Sequence, residues 1–97
     1  MELGLAGRTA LVTGGSKGIG LETARALAHE GVKVLICARR KEALADAARD
    51  IMQTTQQKIE THPLDVTKLG EIETMPQVVR DKLGRIDILV NNAGTGT

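Results

Sequence analysis

The sequence predicts an α/β fold, a doubly wound parallel sheet carried here as far as its fourth strand. Three observations point to it. Short, almost wholly apolar runs alternate with longer runs whose apolar residues recur at helical spacing. The clearest short runs show little polar–apolar alternation, as expected of strands covered on both faces. Glycine-rich segments follow two of them, "TGGSKGIG" after the first and "NNAGTGT" after the fourth. Strand–helix alternation implies right-handed crossovers between parallel strands. The expected sheet order is 3-2-1-4, which sets strands 1 and 4 side by side where the winding reverses.

The elements follow in order. "RTALVT" (Arg8 to Thr13) and "KVLICA" (Lys33 to Ala38) read as buried strands. Between them Ile19, Thr23, Ala24, Leu27 and Ala28 fall at helical spacing, and Gly31 supplies a stop. A second helix is expected over Lys41 to Thr54, with Leu44, Ala47, Ala48, Ile51 and Met52 on one face. "KIETHPLDV" (Lys58 to Val66) reads as a more polar third strand with Pro63 near its end. Thr67 is the expected N-cap of a third helix carrying Ile72, Met75, Val78, Val79 and Leu83 and closed by Gly84. Pro76 inside that pattern predicts a kink or a late start. "IDILVN" (Ile86 to Asn91) is the fourth strand. With no internal repeat or linker-like stretch, residues 1–97 are expected to form one part of a single domain.

Composition narrows the class. The chain has no Phe, Trp or Tyr, so its core must be aliphatic, with three Met among the fillers. A net charge of +1, with both signs mixed along the chain, gives no electrostatic case for nucleic acid or an anionic membrane surface. A single cysteine, Cys37, excludes an internal disulfide and suits a reducing, cytoplasmic compartment. Neither a signal peptide nor a membrane span is expected. Cys37 in its apolar strand is expected to be a buried, inert thiol, and His29 to sit at the surface near the end of the first helix. His62, Asp65 and Cys37 lack metal-ligand spacing, so no metal is assigned.

A glycine-rich turn between strand and helix has a physical use. Backbone N–H groups at the helix start attract phosphate, and absent side chains let the anion approach. On this reading Gly14 makes the tight turn, Gly18 allows close approach and Gly20 packs helix against strand. The alternative is a tight connection needing glycine only for positive φ. A P-loop is excluded, because Lys17 precedes Gly18 rather than following the last glycine. The spacing of Gly14, Gly18 and Gly20 is G-x-x-x-G-x-G, not the general dinucleotide pattern G-x-G-x-x-G.

That spacing resembles the short-chain dehydrogenase/reductase family, and the likeness extends along essentially the whole chain. "TGGSKGIG" resembles the family's cofactor loop, "LDV" (Leu64 to Val66) its adenine-contact site, and "NNAG" (Asn91 to Gly94) its signature after strand 4. All three stand in the family's order, and Pro76 is the one modest departure. The resemblance implies a Rossmann-type domain in which Ser16 and Ile19 meet the pyrophosphate through a hydroxyl and a backbone N–H. It further implies that Asp65 accepts from the adenine amino group, Val66 flanks the ring, and Asn92, Ala93 and Gly94 pass close to the cofactor ribose. Asn91 is expected to stabilise the turn and the central sheet instead. For Asp65 the alternative is an N-cap of the third helix.

Cofactor choice turns on the end of strand 2. An NAD site usually carries an acid there; this chain has Ala38, followed by Arg39 and Arg40. Guanidinium groups grip a 2′-phosphate, and Lys17 adds a third positive charge. The alternative is that both arginines are solvated residues at the start of helix 2, where cations oppose the helix dipole. NADP(H) is therefore expected over NAD(H), through contacts of about 1–3 kcal/mol.

The family's chemistry uses a Ser, a Tyr and a Lys four residues after that Tyr, all downstream of NNAG. This chain has no Tyr, so its 97 residues are expected to lack the catalytic groups and none is assigned. The favoured expectation is the truncated N-terminal half of an oxidoreductase acting on a carbonyl or alcohol. The alternatives are a non-catalytic dinucleotide-binding or interaction module, and a half complemented by a second chain. In each case strand 4 is an apolar sheet edge, expected to drive self-association.

Overall fold

The computed structural model describes residues 4–92. Its sheet is parallel with the order β3-β2-β1-β4, the expected 3-2-1-4. The elements are β1 (Thr9–Thr13), α1 (Gly18–His29), β2 (Lys33–Ala38), α2 (Lys41–Thr55), β3 (Glu60–Pro63), α3 (Leu69–Ile72), α4 (Met75–Lys82) and β4 (Ile88–Asn91). Side-chain alternation along β1 and β2 splits the core into two aliphatic layers. Ala10, Val12, Val34 and Ile36 face α1 and α2. Leu11, Leu35 and Cys37 face the opposite way, onto Leu64, Met75, Val79 and Leu83.

Several sequence-based expectations need correction. Ile19 is not on the buried face of α1: it is 77% exposed, and the helix rests on Gly20, Ala24 and Ala28. These small residues let the helix lie close to the sheet, while Ile19 in the first turn lies beyond the strand ends. Met52 is likewise 47% exposed, because α2 packs through Leu44, Ala47 and Ile51, leaving Met52 on the solvent margin. The third strand is four residues long rather than nine. Its pairing ends where Ala38 meets Pro63, after which Leu64 N donates to Ala38 O at 2.8 Å and the chain turns away.

The third helix is two pieces, α3 and α4, and Ile72 is exposed. Thr67 does not cap it: Lys68 occupies the N-cap, without a side-chain cap, and the Thr67 hydroxyl bonds to Asp65 instead. Pro76 lies in the first turn of α4, where a missing N–H costs no helical bond, so the late start is what forms.

Among the described residues, strand β4 pairs with β1 along one side only and forms the sheet edge. Leu89 on it is 62% exposed. Its start is two residues later than expected because Asp87 turns to Thr9 instead: its carboxylate accepts from Thr9 N at 2.9 Å, and Asp87 N donates to Thr9 O at 3.0 Å. The Thr9 N–H and Thr9 hydroxyl, with Arg85, hold the Asp87 carboxyl below the usual carboxylate range.

Candidate cofactor site

The carboxyl ends of β1 and β4 lie side by side, and one hydroxyl joins them. Thr13 Oγ1 donates to Asn91 Oδ1 at 3.0 Å and accepts from Asn92 N at 3.0 Å. Above this floor opens a cleft of about 790 Å³. Its walls bring together Gly14, Ser16, Lys17, Gly18 and Ile19 from the glycine loop, Arg39 and Arg40 from the end of β2, Asp65 and Val66 after β3, and Asn92 after β4. Of the residues singled out in the sequence, Ala93 and Gly94 lie outside the described residues.

Each loop glycine has a distinct geometry. Gly14 sits at φ +67°, and its N–H donates to Cys37 O at 2.8 Å, tying the turn to β2. Gly18 also has positive φ, and the space where a Cβ would project is open. Gly20 has no room at all: an added Cβ would run into the Gly14 carbonyl oxygen and sit 3.0 Å from Asn92 Nδ2. Gly15, to which the sequence pattern gave no role, presses on β2, with Ile36 Cγ2 2.8 Å from the position of its absent Cβ. The doubled glycine was the available signal. Thr13 was also missed as more than a strand residue, although its hydroxyl fastens two strand ends.

The N-terminus of α1 has no side-chain cap. Its first intrahelical bond of this kind runs from Leu21 N to Lys17 O at 3.3 Å, so the N–H groups of Gly18, Ile19 and Gly20 precede the helical ladder. These donors, the open face of Gly18 and the positive end of the helix dipole suit an anion such as a pyrophosphate. Lys17, Arg39 and Arg40 are exposed at the rim. Arg40 is the N-cap of α2, again without a side-chain bond.

Asp65 stands across the cleft, and it does not cap α3. Its Oδ1 accepts from Thr67 N at 2.9 Å and from the Thr67 hydroxyl at 2.6 Å, closing a turn around itself. The Thr67 hydroxyl, then the Thr67 N–H, with Lys68 and Arg39 adding their charges, hold the Asp65 carboxyl below the usual range. It is thus an ionised, acceptor-only group at neutral pH. Cys37 lies at the cleft floor, but burial pushes its thiol up to about 12, so it stays neutral and unreactive. His29 is exposed in the last turn of α1. Among the described residues no cluster of three or more His, Cys, Asp or Glu side chains could hold a metal ion, and no helix is long and apolar enough to cross a membrane.

Comparison with known proteins gives the same architecture. The family model for short chain dehydrogenases matches residues 8–97. The 3-oxoacyl-(acyl-carrier-protein) reductase of rhamnolipid biosynthesis from Pseudomonas aeruginosa is 44% identical over 91 residues, 94% of this chain and 35% of that protein. The crystal structure of L-sorbose reductase from Gluconobacter frateurii, complexed with NADPH and L-sorbose, superposes with a TM-score of 0.91 at 37% identity, covering 100% of this chain and 37% of that one. The Pseudomonas aeruginosa RhlG/NADP active-site complex has a TM-score of 0.84 at 44% identity, covering 94% and 36%. This chain thus spans about a third of the length of the relatives it matches. With the sheet order, the glycine loop and the family match in agreement, the chain belongs to the short-chain dehydrogenase family.

Proposed function

We propose that the chain is the NADP(H)-binding part of a single Rossmann-type domain in an oxidoreductase that transfers hydride between NADP(H) and a carbonyl or alcohol substrate. The observation that carries this reading is the cleft itself, where uncapped helix donors face a rim bearing Lys17, Arg39 and Arg40 and no acid stands at position 38. Gly14, Gly18 and Gly20 shape the approach; Ser16 and Ile19 hold the pyrophosphate. Lys17, Arg39 and Arg40 grip the 2′-phosphate. Asp65 receives the adenine amino group, Val66 covers the ring, and Asn92, Ala93 and Gly94 border the ribose. The cofactor supplies the hydride chemistry, and the acid–base groups belong to the rest of the protein, since these residues include no Tyr. The NADPH and NADP complexes of the relatives support the choice of cofactor.

Calorimetric titration tests the reading. NADP+ is expected to bind at least about tenfold more tightly than NAD+, the worth of one or two charge-assisted contacts. The preference is expected to collapse in the double variant Arg39→Ala/Arg40→Ala. Equal or tighter binding of NAD+ refutes the assignment of the two arginines, and binding of neither dinucleotide refutes the site.

A further inference from the structure

We infer that Glu71 is a positioning residue for Asp65, fixing from outside the cleft the direction in which that carboxylate meets the nucleotide base. The inference rests on the reading of Asp65 as the adenine contact. Asp65 is the second residue beyond β3; Leu64 N makes the preceding bond to the sheet, at Ala38 O. Its own N–H is received by Glu71 Oε1 at 2.9 Å, in a partly buried contact. Its carbonyl accepts from Lys68 N at 3.0 Å, and its Oδ1 accepts both Thr67 donors.

The bonds to Thr67 and Lys68 span at most three residues and travel with the turn. The Glu71 bond spans six residues and ties the turn to α3. Lys68 Nζ, 3.9 Å from Glu71 Oε2, steadies the other carboxylate oxygen. With Oδ1 spent on Thr67, Oδ2 has no hydrogen-bond partner among the described residues and is left as the acceptor for a ligand. A hydrogen bond weakens steeply with misalignment, so a clamp on the backbone N–H of Asp65 sets how well Oδ2 meets an amino group. Glu71 does this without touching the ligand.

A double-mutant cycle on NADP+ affinity, read by calorimetry below the melting temperature of each variant, separates this role from general loosening of the fold. Glu71→Ala is expected to weaken binding roughly 3- to 10-fold, the effect of one net hydrogen bond. Asp65→Asn keeps the acceptor for Thr67 but replaces the free oxygen with a donor, and in that background Glu71→Ala is expected to cost less than about 1.5-fold. Glu71→Gln retains Oε1 and is expected to restore affinity to within about twofold of the parent. Full additivity in the cycle, no loss with Glu71→Ala, or no rescue by Gln overturns the role of Glu71 when Asp65→Asn itself weakens binding. If Asp65→Asn leaves NADP+ affinity unchanged, the adenine contact fails first and the inference falls with it.

Discussion

Replacing Gly20 with alanine strikes the point where loop, helix and strand ends converge. The added Cβ would collide with Gly14 O, lie 2.9 Å from Gly14 C and reach 3.0 Å from Asn92 Nδ2. The two Gly14 atoms are backbone and do not give way cheaply. The Gly14 turn is held by its bond to Cys37 O, so α1 must lift off the sheet and loosen Ala24 and Ala28 in the core. Over-packing of this kind costs about 1–3 kcal/mol, while alanine's helix preference over glycine returns about 1 kcal/mol. With backbone on the receiving side the upper end applies, leaving a net loss of about 2 kcal/mol. In a domain of this size that lowers the melting temperature by about 8–16 °C. Gly70→Ala is the control: it lies in α3, no neighbour stands within 4 Å of its absent Cβ, and the substitution is expected to be neutral or slightly stabilising. Urea unfolding followed by circular dichroism reads both variants. A Gly20→Ala protein as stable as Gly70→Ala would refute the crowding and with it the account of why this position carries glycine.

Two further outcomes follow from the edge and the acid pairs. Among the described residues strand β4 has no partner on one side and Leu89 is exposed, so the chain is expected to self-associate in sedimentation velocity and Leu89→Lys to shift it to monomer; a parent chain that stays monomeric at high concentration overturns this. Asp87 has its pKa lowered chiefly by the Thr9 N–H, so the unfolded chain takes up its proton first as pH falls through about 3.9. The Asp87 contribution to stability is therefore present above that value and lost as pH drops towards the folded pKa. Asp87→Asn should show a shallower acid limb, and an identical one contradicts the assignment.

Much of the fold was legible because the sheet is covered on both faces. The apolar runs at β1 and β2 could be bounded to within a residue; the three crossovers then implied parallelism, and the doubly wound class the order. What misled was local competition. Thr67 has the chemistry of an N-cap, but Asp65 two residues earlier offers its hydroxyl a charged acceptor, and the helix starts without it. Ile19 and Met52 fit an apolar periodicity, yet neither periodicity shows how close the small residues draw α1, nor where the margin of α2 falls. In the site, Gly14 and Gly20 could be assigned from spacing because each answers a backbone constraint. Gly15, Thr13 and Glu71 could not, since their partners are Ile36, Asn91 and Asp65, distant in sequence or hidden in an otherwise ordinary polar run.

The cleft joins walls bonded into the sheet to a rim of exposed side chains, and that division bears on how selectivity can change. In the walls, the Gly14 turn is bonded to β2, and the hydroxyl of Thr13 locks the ends of β1 and β4 together. A substitution there is felt first as lost stability. On the rim, the Arg39 and Arg40 side chains are exposed, while Asp65 is held in its turn by Thr67, Lys68 and Glu71. Exposed charges are exchanged at little cost in folding, so neutral residues at 39 and 40 are expected to weaken the proposed 2′-phosphate contact without disturbing the glycine loop, whereas Ala38 is half-buried against the core. The glycine turn is therefore the part that the fold cannot spare, and the dinucleotide preference proposed above would rest on side chains that the fold barely notices.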